Sequence, residues 1–395
     1  MHINQREIFL KHIGQTSDSP FMLEIERAEG IYMYSTDQKK YIDLIAGVSV
    51  SCLGHCHPKV VKAVQEQVEK YMHLMVYGEY IEHPQTRYAK MLTDFLPSNL
   101  NCVYFVNSGS EANEAALKLS KRYTGRPKII SMVNAYHGST SGAMSVLGNE
   151  YFKNSFRPLL PGIDFIRFNE FDDLSRIDRS VACVIVEPVQ AEAGIILPEN
   201  NYLQALKNRC TETGTLLIFD EVQTGFGRLG EWFAFMKYNV VPDILCIAKA
   251  MGGGMPIGAL VSDKKILDVF QSDPVLGHIT TFGGHPVSAA AACATLETLK
   301  SEKIIENVNS LGKAFTGRLR HKKIKQIRGA GLFLAVELEN TDLNLQFIKK
   351  LRKQGVVTDW FIFHDQAFRI APPLIITEKQ IDEACEIIIK TLDEL

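Results

Sequence analysis

Between residues 100 and 263, short apolar runs alternate with segments of helical periodicity, and this alternation constrains the fold more than any other feature of the chain. The candidate strands are residues 102–106, 128–133, 163–168, 182–186, 216–219, 244–247 and 257–262, with helical segments such as 110–123 and 201–213 between them. Strands that alternate with helices predict an α/β fold with a mostly parallel sheet covered by helices on both faces.

The two flanks of this core have a different pattern. Residues 23–44 predict a meander of strands, with the polar string TDQKK as a turn. Beyond residue 287, helical stretches and strands alternate, and the last helix begins at a possible threonine cap in TEKQ. We therefore expect a large α/β domain of residues 51–290. A smaller α+β domain is expected from residues 291–395 together with the N-terminal segment 1–50.

The composition excludes several classes of protein. With 46% hydrophobic residues, 22% charged residues and a net charge of −2, neither nucleic acid nor an anionic membrane is an expected partner. No apolar run approaches the roughly 20 residues that cross a bilayer, and the charged start lacks the apolar centre of a secretion signal. Eight cysteines without framework spacing are typical of reduced thiols. We expect a cytoplasmic protein.

A lysine stands at the end of one candidate strand. In DILCIAKAMGGGMP (243–256), Lys249 follows an apolar run that predicts a buried strand, and three glycines follow it. A surface lysine beside a flexible turn is the usual explanation of such a string. The alternative is an amine held for chemistry, and the residues that follow the other strands favour it.

Open α/β sheets bind ligands at the carboxyl ends of their strands. After 102–106, Gly109 leads into a helix whose free N–H groups suit a phosphate, although Ser-x-Ser is also a routine helix cap. After 128–133, Tyr136 can stack on a flat heteroaromatic ring. After 216–219, Asp220 lies at the edge of the core and needs a partner, which is either a protein group or a protonated ring nitrogen.

Together these residue types meet the requirements of pyridoxal 5′-phosphate (PLP), which needs a lysine, a carboxylate, an aromatic ring and a phosphate cradle. A carboxylate that keeps the pyridine nitrogen protonated makes the ring an electron sink. Lys249, once displaced by an incoming amine, is placed to move a proton as a general base.

Nine motifs occur in a single order along the chain. They are GHCHP (54–58), NSGSEANE (107–114), AYHG (135–138), EPVQAEAG (187–194), DEVQTGFGR (220–228), AKAMGGGMPIGA (248–259), TTFGGHP (280–286), RGAGL (328–332) and FRIAPPL (368–374). In this order they resemble the class III (ω-type) aminotransferases of the fold-type I PLP enzymes, which include acetylornithine, ornithine and 4-aminobutyrate aminotransferases. The resemblance covers nearly the whole chain.

The resemblance implies roles for particular residues around the cofactor. Lys249 would form the Schiff base, Asp220 would pair with the pyridine nitrogen, and Val222 would pack on the ring opposite Tyr136. Gln223 would lie near the phenolic oxygen of PLP. The other implied cofactor-binding residues are Ser108, Gly109 and Ser110 at the phosphate, His137, Glu187, and Thr281 contributed by the neighbouring subunit of a homodimer.

On the substrate side, the resemblance implies that Arg369 binds a carboxylate through its planar fork. Glu192 would pair with Arg369 when that carboxylate is absent, and a purely structural salt bridge is the alternative. Val48 and Tyr77 are further implied substrate contacts. Ser139 stands where acetylornithine and 4-aminobutyrate enzymes commonly carry an arginine for a second carboxylate.

The string GHCHP clusters His55, Cys56 and His57, but neighbouring residues rarely bind one ion, and no metal site is expected. The leading hypothesis is a ping-pong aminotransferase that acts on an ω-amine or amino acid, with 2-oxoglutarate or pyruvate as acceptor. Alternatives on the same fold are a PLP-dependent isomerase (racemase or aminomutase) and a decarboxylase. A non-enzymatic binding protein is disfavoured because it has no need of Lys249 and Asp220.

Overall fold

The computed structural model describes residues 4–395. The strands are β1 (Ile25–Glu29), β2 (Tyr32–Ser35), β3 (Lys40–Asp43), β4 (Cys102–Val106), β5 (Lys128–Met132), β6 (Ile163–Ile166), β7 (Val181–Val186), β8 (Leu216–Asp220), β9 (Ile244–Ile247), β10 (Gly258–Ser262), β11 (Gln326–Ala330), β12 (Phe333–Glu337), β13 (Val356–Val357), β14 (Trp360–Phe361) and β15 (His364–Ile370). The α-helices are α1 (Gln5–His12), α2 (Pro58–Lys70), α3 (His83–Thr93), α4 (Gly109–Thr124), α5 (Ser141–Ser145), α6 (Glu150–Lys153), α7 (Tyr202–Thr213), α8 (Ala234–Tyr238), α9 (Lys264–Leu267), α10 (Pro286–Ser301), α11 (Val308–Arg318), α12 (Thr341–Lys353) and α13 (Glu378–Asp393).

A seven-stranded sheet forms the centre of the molecule, in the order β4-β10-β9-β8-β7-β5-β6. Strands β5 to β9 run parallel to one another, and β10 is antiparallel to both β4 and β9. Every residue of β7 and β8 is buried, as expected for apolar runs covered on both faces. The mostly parallel sheet is confirmed, and each strand begins and ends within two residues of its predicted bounds.

Two smaller sheets flank the central one. The first has the order β1-β2-β3-β13, so the predicted N-terminal meander pairs with a strand from the C-terminal third. The second has the order β11-β12-β15-β14 and is antiparallel. The predicted cap of α13 is confirmed, because Thr377 and Gln380 form a reciprocal capping box. The domain boundaries at residues 50 and 290 stay a prediction.

In the part of the chain that the structure describes, no helix is both long enough and apolar enough to traverse a bilayer.

Candidate active site

One cavity of about 700 Å³ lies at the carboxyl ends of β5, β7, β8 and β9. These ends meet because the strands are parallel neighbours in the sheet. We call this space the cofactor cavity. The predicted residues that line it are Ser108, Gly109, Ser110, Tyr136, His137, Glu187, Asp220, Val222, Gln223 and Lys249. Lys249 and Asp220 therefore share one cavity, which the sequence hypothesis required.

Lys249 follows β9 and adopts a left-handed backbone conformation, with φ of +48°. Such a conformation is strained for a lysine and occurs mainly where the surrounding structure enforces it, often at functional sites. Burial lowers the pKa of its amine to about 8, and this effect exceeds the opposing one of nearby Glu192. Gly253 also has a positive φ, and a Cβ atom there would collide with the hydroxyl of Thr295. The glycines therefore permit the tight turn that fixes Lys249.

Asp220, the last residue of β8, is held by three donors. Its Oδ2 accepts hydrogen bonds from Asn113 Nδ2 and His137 Nδ1, both at 2.7 Å. Its Oδ1 accepts the backbone N–H of Val222 at 3.0 Å. Because a carboxylate oxygen accepts more than one hydrogen bond, Oδ1 retains capacity for a pyridinium N–H.

Asn113 was missed at the sequence level. It lies in the motif NSGSEANE, four residues after Gly109, so its side chain shares a face of α4 with the start of that helix. That spacing was the available signal. A helix that begins at a ligand presents its residues one turn later to the same site.

The carboxylate of Glu187 fixes the loop that carries Tyr136. Its two oxygens accept the backbone N–H groups of Tyr136 and Ala191, each at 3.0 Å. Burial raises the pKa of Glu187 to about 7, and Asp220 acts in the same direction. Glu187 therefore holds the position of the ring that was predicted to stack on the cofactor.

The predicted phosphate cradle lies at the first turn of α4. Ser108 caps this helix, since its hydroxyl accepts the N–H of Glu111 at 3.2 Å. A Cβ atom at Gly109 would lie 2.8 Å from both methyl groups of Val222, so only glycine allows this approach. The free N–H groups of the first turn and the helix dipole favour an anion here.

The cofactor cavity contains each group that PLP requires. These groups are the amine of Lys249, the carboxylate of Asp220 with a free lone pair, the ring of Tyr136, the aliphatic side chain of Val222 and the anion cradle at the start of α4. A buried ring nitrogen, Nε2 of His137, and the amide oxygen of Asn113 have no hydrogen-bond partner among the described residues. These donors and acceptors fit the cofactor that the sequence predicted.

Arg369 lies behind Gln223, which lines the cofactor cavity, and is held by two carboxylates. Its Nη2 is 3.0 Å from both oxygens of Glu192, and its Nε is 3.0 Å from Asp359. Its Nη1 donates to Gln223 at 3.2 Å, and the ring of Phe361 lies 4.6 Å from the guanidinium. The predicted Glu192–Arg369 pair is therefore present, and both side chains are buried.

The charges of this cluster adjust to one another. Burial is the largest single effect on the pKa of Glu192 and acts to raise it, but Arg369 and Lys249, with hydrogen bonds from Gln223 and Ile362, together outweigh it and lower the pKa below its usual value. Burial raises the pKa of Asp359, with Arg369 acting in the opposite direction. Gln223 also donates to Glu192 at 3.1 Å, so in this structure its amide links the pair rather than standing free for the cofactor. Asp359 gave no signal in the sequence, because its role depends on a fold contact with β15.

A second cavity, of about 1100 Å³, opens on the other side of the Glu192–Arg369 pair, and we call it the tail cavity. Val48, a predicted substrate contact, lines this cavity. It lies in a left-handed turn, in which φ is 51°, 62°, 63° and 65° at residues 46 to 49. Left-handed turns cost about 1–2 kcal/mol per non-glycine residue. Buried Asp43 stabilises the turn by accepting the N–H groups of Ile45 and Ala46 at 2.8 and 2.9 Å, and it also pairs with His55 at 2.9 Å.

Two predicted residues do not reach either cavity of their own chain. Thr281 is exposed on a loop, and Tyr77 lies on the segment between α2 and α3. A role for Thr281 in a neighbouring subunit stays a prediction. Among residues 4–395, no three His, Cys, Asp or Glu side chains are close enough together to hold a metal ion.

Comparison with known proteins identifies relatives over the whole chain. The acetylornithine aminotransferase of Archaeoglobus fulgidus is 38% identical over 380 residues, which cover 96% of this chain and 98% of that protein. The acetylornithine aminotransferase of Clostridium acetobutylicum is 39% identical over 381 residues, covering 92% of this chain and 95% of that protein.

Solved structures have the same fold. A transaminase from the marine bacterium Virgibacillus has a TM-score of 0.92 at 28% identity, and the match covers 98% of each chain. The ornithine aminotransferase of Toxoplasma gondii, whose structure shows partial occupancy of PLP at the active site, has a TM-score of 0.91 at 29% identity, covering 99% of this chain and 93% of that one. The predicted fold-type I architecture is confirmed.

The family described as "Aminotransferase class-III" matches residues 13–392. The chain therefore belongs to the class III aminotransferases, a family of PLP-dependent enzymes.

Proposed function

We propose that this enzyme transfers an amino group from an ω-amine or amino acid of the acetylornithine or ornithine type to 2-oxoglutarate. One site would serve both half-reactions in turn, as in a ping-pong mechanism. The observation that carries the proposal is the common cavity of Lys249 and Asp220, with the Glu192–Arg369 pair beside it.

When bound, PLP supplies an aldehyde that takes up amino groups and a ring that accepts electrons. The ε-amine of Lys249 would hold this aldehyde. A pKa of about 8 leaves a fraction of the amine neutral near neutral pH, as a nucleophile and a base must be. With the amine free, Lys249 would carry a proton to and from the carbon next to the reacting nitrogen.

Asp220 would keep a proton on the pyridine nitrogen through its Oδ1, which has a free lone pair. Asn113 and His137 hold the carboxylate in position from its other oxygen. His137 donates from Nδ1, and this tautomer is the one that a neighbouring carboxylate favours. These two residues position Asp220 and do not touch the reacting atoms.

Glu192 and Arg369 distinguish the two substrates. A substrate with a carboxylate next to its reacting carbon displaces Glu192 from Arg369, whereas an ω-amine donor leaves the pair closed. Asp359 and Gln223 keep the guanidinium oriented when Glu192 leaves. A pair that opens in this way supports glutamate and 2-oxoglutarate as one half-reaction and disfavours a racemase or a decarboxylase, which would need only one binding mode.

We also propose that the enzyme works as a homodimer in which Thr281 reaches the phosphate of the partner's site. Two neighbouring segments, 72–81 and 275–282, expose large apolar side chains, and the rings of His73 and Phe282 join them at 4.8 Å. Apolar surface of this kind marks a protein interface, and a two-fold pair is the commonest assembly. The exposed side chains are Met72, Leu74, Met75, Tyr80, Ile81, Val275, Leu276, Ile279 and Phe282.

The test is to supply glutamate alone to the purified PLP-loaded enzyme. We expect one equivalent of 2-oxoglutarate per site, together with the absorbance change that accompanies conversion of the cofactor to its amine form. Conversion with no amine in a panel of acetylornithine, ornithine, lysine, 4-aminobutyrate, β-alanine and glutamate would refute the proposal.

A further inference from the structure

A small cavity of about 400 Å³ lies beside the second half of α4, and its other wall belongs to the segment between α9 and α10. We call it the cationic cavity. The residues that line it are Lys118, Lys121, Arg122, Phe270, Gly277 and His278. Three of these described residues are cations at neutral pH and none is acidic. Such a space attracts an anion.

The three cations lie on one face of α4. Lys121 and Arg122 follow Lys118 by three and four residues, and side chains at these spacings are neighbours on a helix. Like charges so placed destabilise a helix. The helix dipole favours Lys121 and Arg122, which lie in the last turn, but its effect does not extend to Lys118 one turn earlier. A bound anion would offset the repulsion among all three.

No carboxylate of the chain neutralises these cations. Within residues 4–395, none of the three has a carboxylate oxygen within 4.0 Å. Two carboxylates on neighbouring turns are engaged elsewhere. Glu114, one turn before Lys118, accepts two backbone N–H groups of α5 at 2.7 and 3.2 Å, and Asp268 pairs with Lys264 at 2.5 Å. The positive charge of the cavity is therefore free to act on a ligand.

Two of the cations also retain N–H groups for a ligand. Nη2 of Arg122 donates to the backbone carbonyls of Ser272 and Asp273, the second at 2.8 Å. The Nε and Nη1 groups of Arg122 have no hydrogen-bond partner in the described part of the chain. The side chain of Lys121 forms no hydrogen bond or ion pair there either. Arg122 therefore fixes the start of the loop and can still bind an anion.

His278 adds a neutral donor. An ammonium group only donates, so the 2.9 Å contact between Lys118 Nζ and His278 Nδ1 leaves the ring proton on Nε2. This Nε2 is buried and has no hydrogen-bond partner among the described residues. Burial lowers the pKa of His278 to about 4, and Lys118 acts in the same direction, so the ring is uncharged at neutral pH. An anion in the cavity that this ring lines is an acceptor for that proton.

We propose that the cationic cavity binds a phosphate dianion, either the free ion or the phosphate group of a small organic phosphate. Lysine, arginine and histidine donors around one space suit a group that has two charges and several acceptor oxygens. The volume of about 400 Å³ is near the lower end for small-molecule sites. The ring of Phe270, 5.1 Å from that of His278, is an apolar wall for an organic part. The bound anion would hold residues 272–278 against α4.

The cavity adjoins residues 275–282, which we place at the dimer interface, and it shares α4 with the predicted phosphate cradle at residues 108–110. The experiments therefore use the PLP-loaded enzyme in its own assembly state, in which the cofactor occupies that cradle. The proposed site does not depend on amino transfer, so its failure would leave the proposed function untouched.

Calorimetric titration with inorganic phosphate, at constant ionic strength balanced with chloride, measures the binding. We expect one saturable site per chain, with sulfate as a competitor because it carries the same charge on the same shape. Phenyl phosphate is the second arm. Tighter binding of phenyl phosphate would assign the site to an organic phosphate, and tighter binding of inorganic phosphate would assign it to the free ion. No saturable binding of either, as when a neighbouring subunit closes the cavity, would overturn the proposal.

A matched pair of variants tests the location. Lys121→Gln should weaken phosphate binding about tenfold, because a charge-assisted contact is lost. Lys265, exposed on the neighbouring helix α9, does not line the cavity, and Lys265→Gln removes the same charge. We expect this control to bind phosphate within about twofold of the wild-type affinity. The visible absorbance of the bound cofactor confirms that both variants are folded. Equal losses in the two variants would contradict the site.

Hydrogen exchange locates the bound ion independently. Saturating phosphate should slow backbone exchange in residues 272–279 at least about fivefold in the wild-type enzyme, because the ion joins this loop to α4. In Lys121→Gln the same phosphate concentration should protect the loop much less. Protection confined to residues 107–111 would show that phosphate binds at the cofactor cradle instead, and it would overturn the proposal.

Discussion

The two cavities on either side of the Glu192–Arg369 pair are built in different ways. The cofactor cavity is formed by strand ends of the central sheet, and the oxygens of Asp220 and Glu187 accept hydrogen bonds from fixed donors. The tail cavity is formed by the N-terminal segment, a strained turn and a loop, and its wall is mainly apolar.

We expect this difference in construction to separate the chemistry of the reaction from the selection of substrates. Proton transfer requires groups held within a few tenths of an ångström, and a parallel sheet with buried strands provides that rigidity. Recognition of a tail requires a volume and a polarity, which loops can supply and change without disturbing the sheet. We therefore expect substitutions in the cofactor cavity to affect every substrate, and substitutions in the tail cavity to affect donors selectively.

The largest effect is expected for Lys249→Ala. Loss of both the covalent anchor and the base should reduce the single-turnover rate with glutamate by at least about 1,000-fold and remove the visible absorbance of the bound cofactor. Val48→Ala, in the other cavity, serves as the control and should alter glutamate turnover less than tenfold. A Lys249→Ala enzyme with the wild-type rate would show that the cofactor cavity is not the reaction site.

Asp220→Asn keeps the shape of the side chain but removes its charge. We expect the variant to bind PLP and to lose activity about 100-fold to 1,000-fold with every donor, because the ring nitrogen is no longer held protonated. Steady-state kinetics with glutamate and with hexylamine measure this loss. If only one donor were affected, the division between the two cavities would be wrong.

The buried amine predicts a pH-dependent stability in the enzyme without its cofactor. The pKa of Lys249 falls from 10.5 to about 8 on folding, so between these values the unfolded chain binds more protons and the free energy of unfolding rises with pH. The free energy of unfolding of the wild-type enzyme, taken relative to that of Lys249→Met, should rise by about 3 kcal/mol between pH 8 and pH 10.5. Below pH 8 this difference should be constant. Urea unfolding of both proteins across this range measures it. A constant difference throughout would mean that burial does not perturb the amine.

The smallest effect is expected for a substitution at Ser139, in the cofactor cavity. Ser139→Arg adds a cation beside Tyr136 and should raise kcat/KM for 6-aminohexanoate about tenfold, since a carboxylate gains a charged partner. Hexylamine should be unaffected, and Ser139→Ala, which removes only the hydroxyl contact, should favour neither donor. A parallel gain for hexylamine would indicate that the new side chain acts on the cofactor instead.

Much of the cofactor cavity could be predicted from the sequence because parallel strands end at one edge of a sheet. Apolar runs located the strands, so the residues that follow them, such as Asp220 and Tyr136, had to meet. Asn113, Asp359 and the left-handed turn were not foreseen. Asn113 acts from a helix face. Asp359 reaches Arg369, ten residues away, because β14 and β15 pair as neighbouring antiparallel strands, and the turn is held by Asp43, which lies just before it in the chain.

By itself, the sequence determined the sheet and the family and singled out Lys249 as the predicted reactive amine, because periodicity and motif order can be read without knowledge of packing. Only the tertiary structure decided that Arg369 is shared by two carboxylates and that residues near the N-terminus complete a cavity beside it. The physical reason is separation along the chain. Glu192 and Arg369 are 177 residues apart, and the tail cavity joins residues near the N-terminus to residues 357–369, so no local pattern encodes either contact.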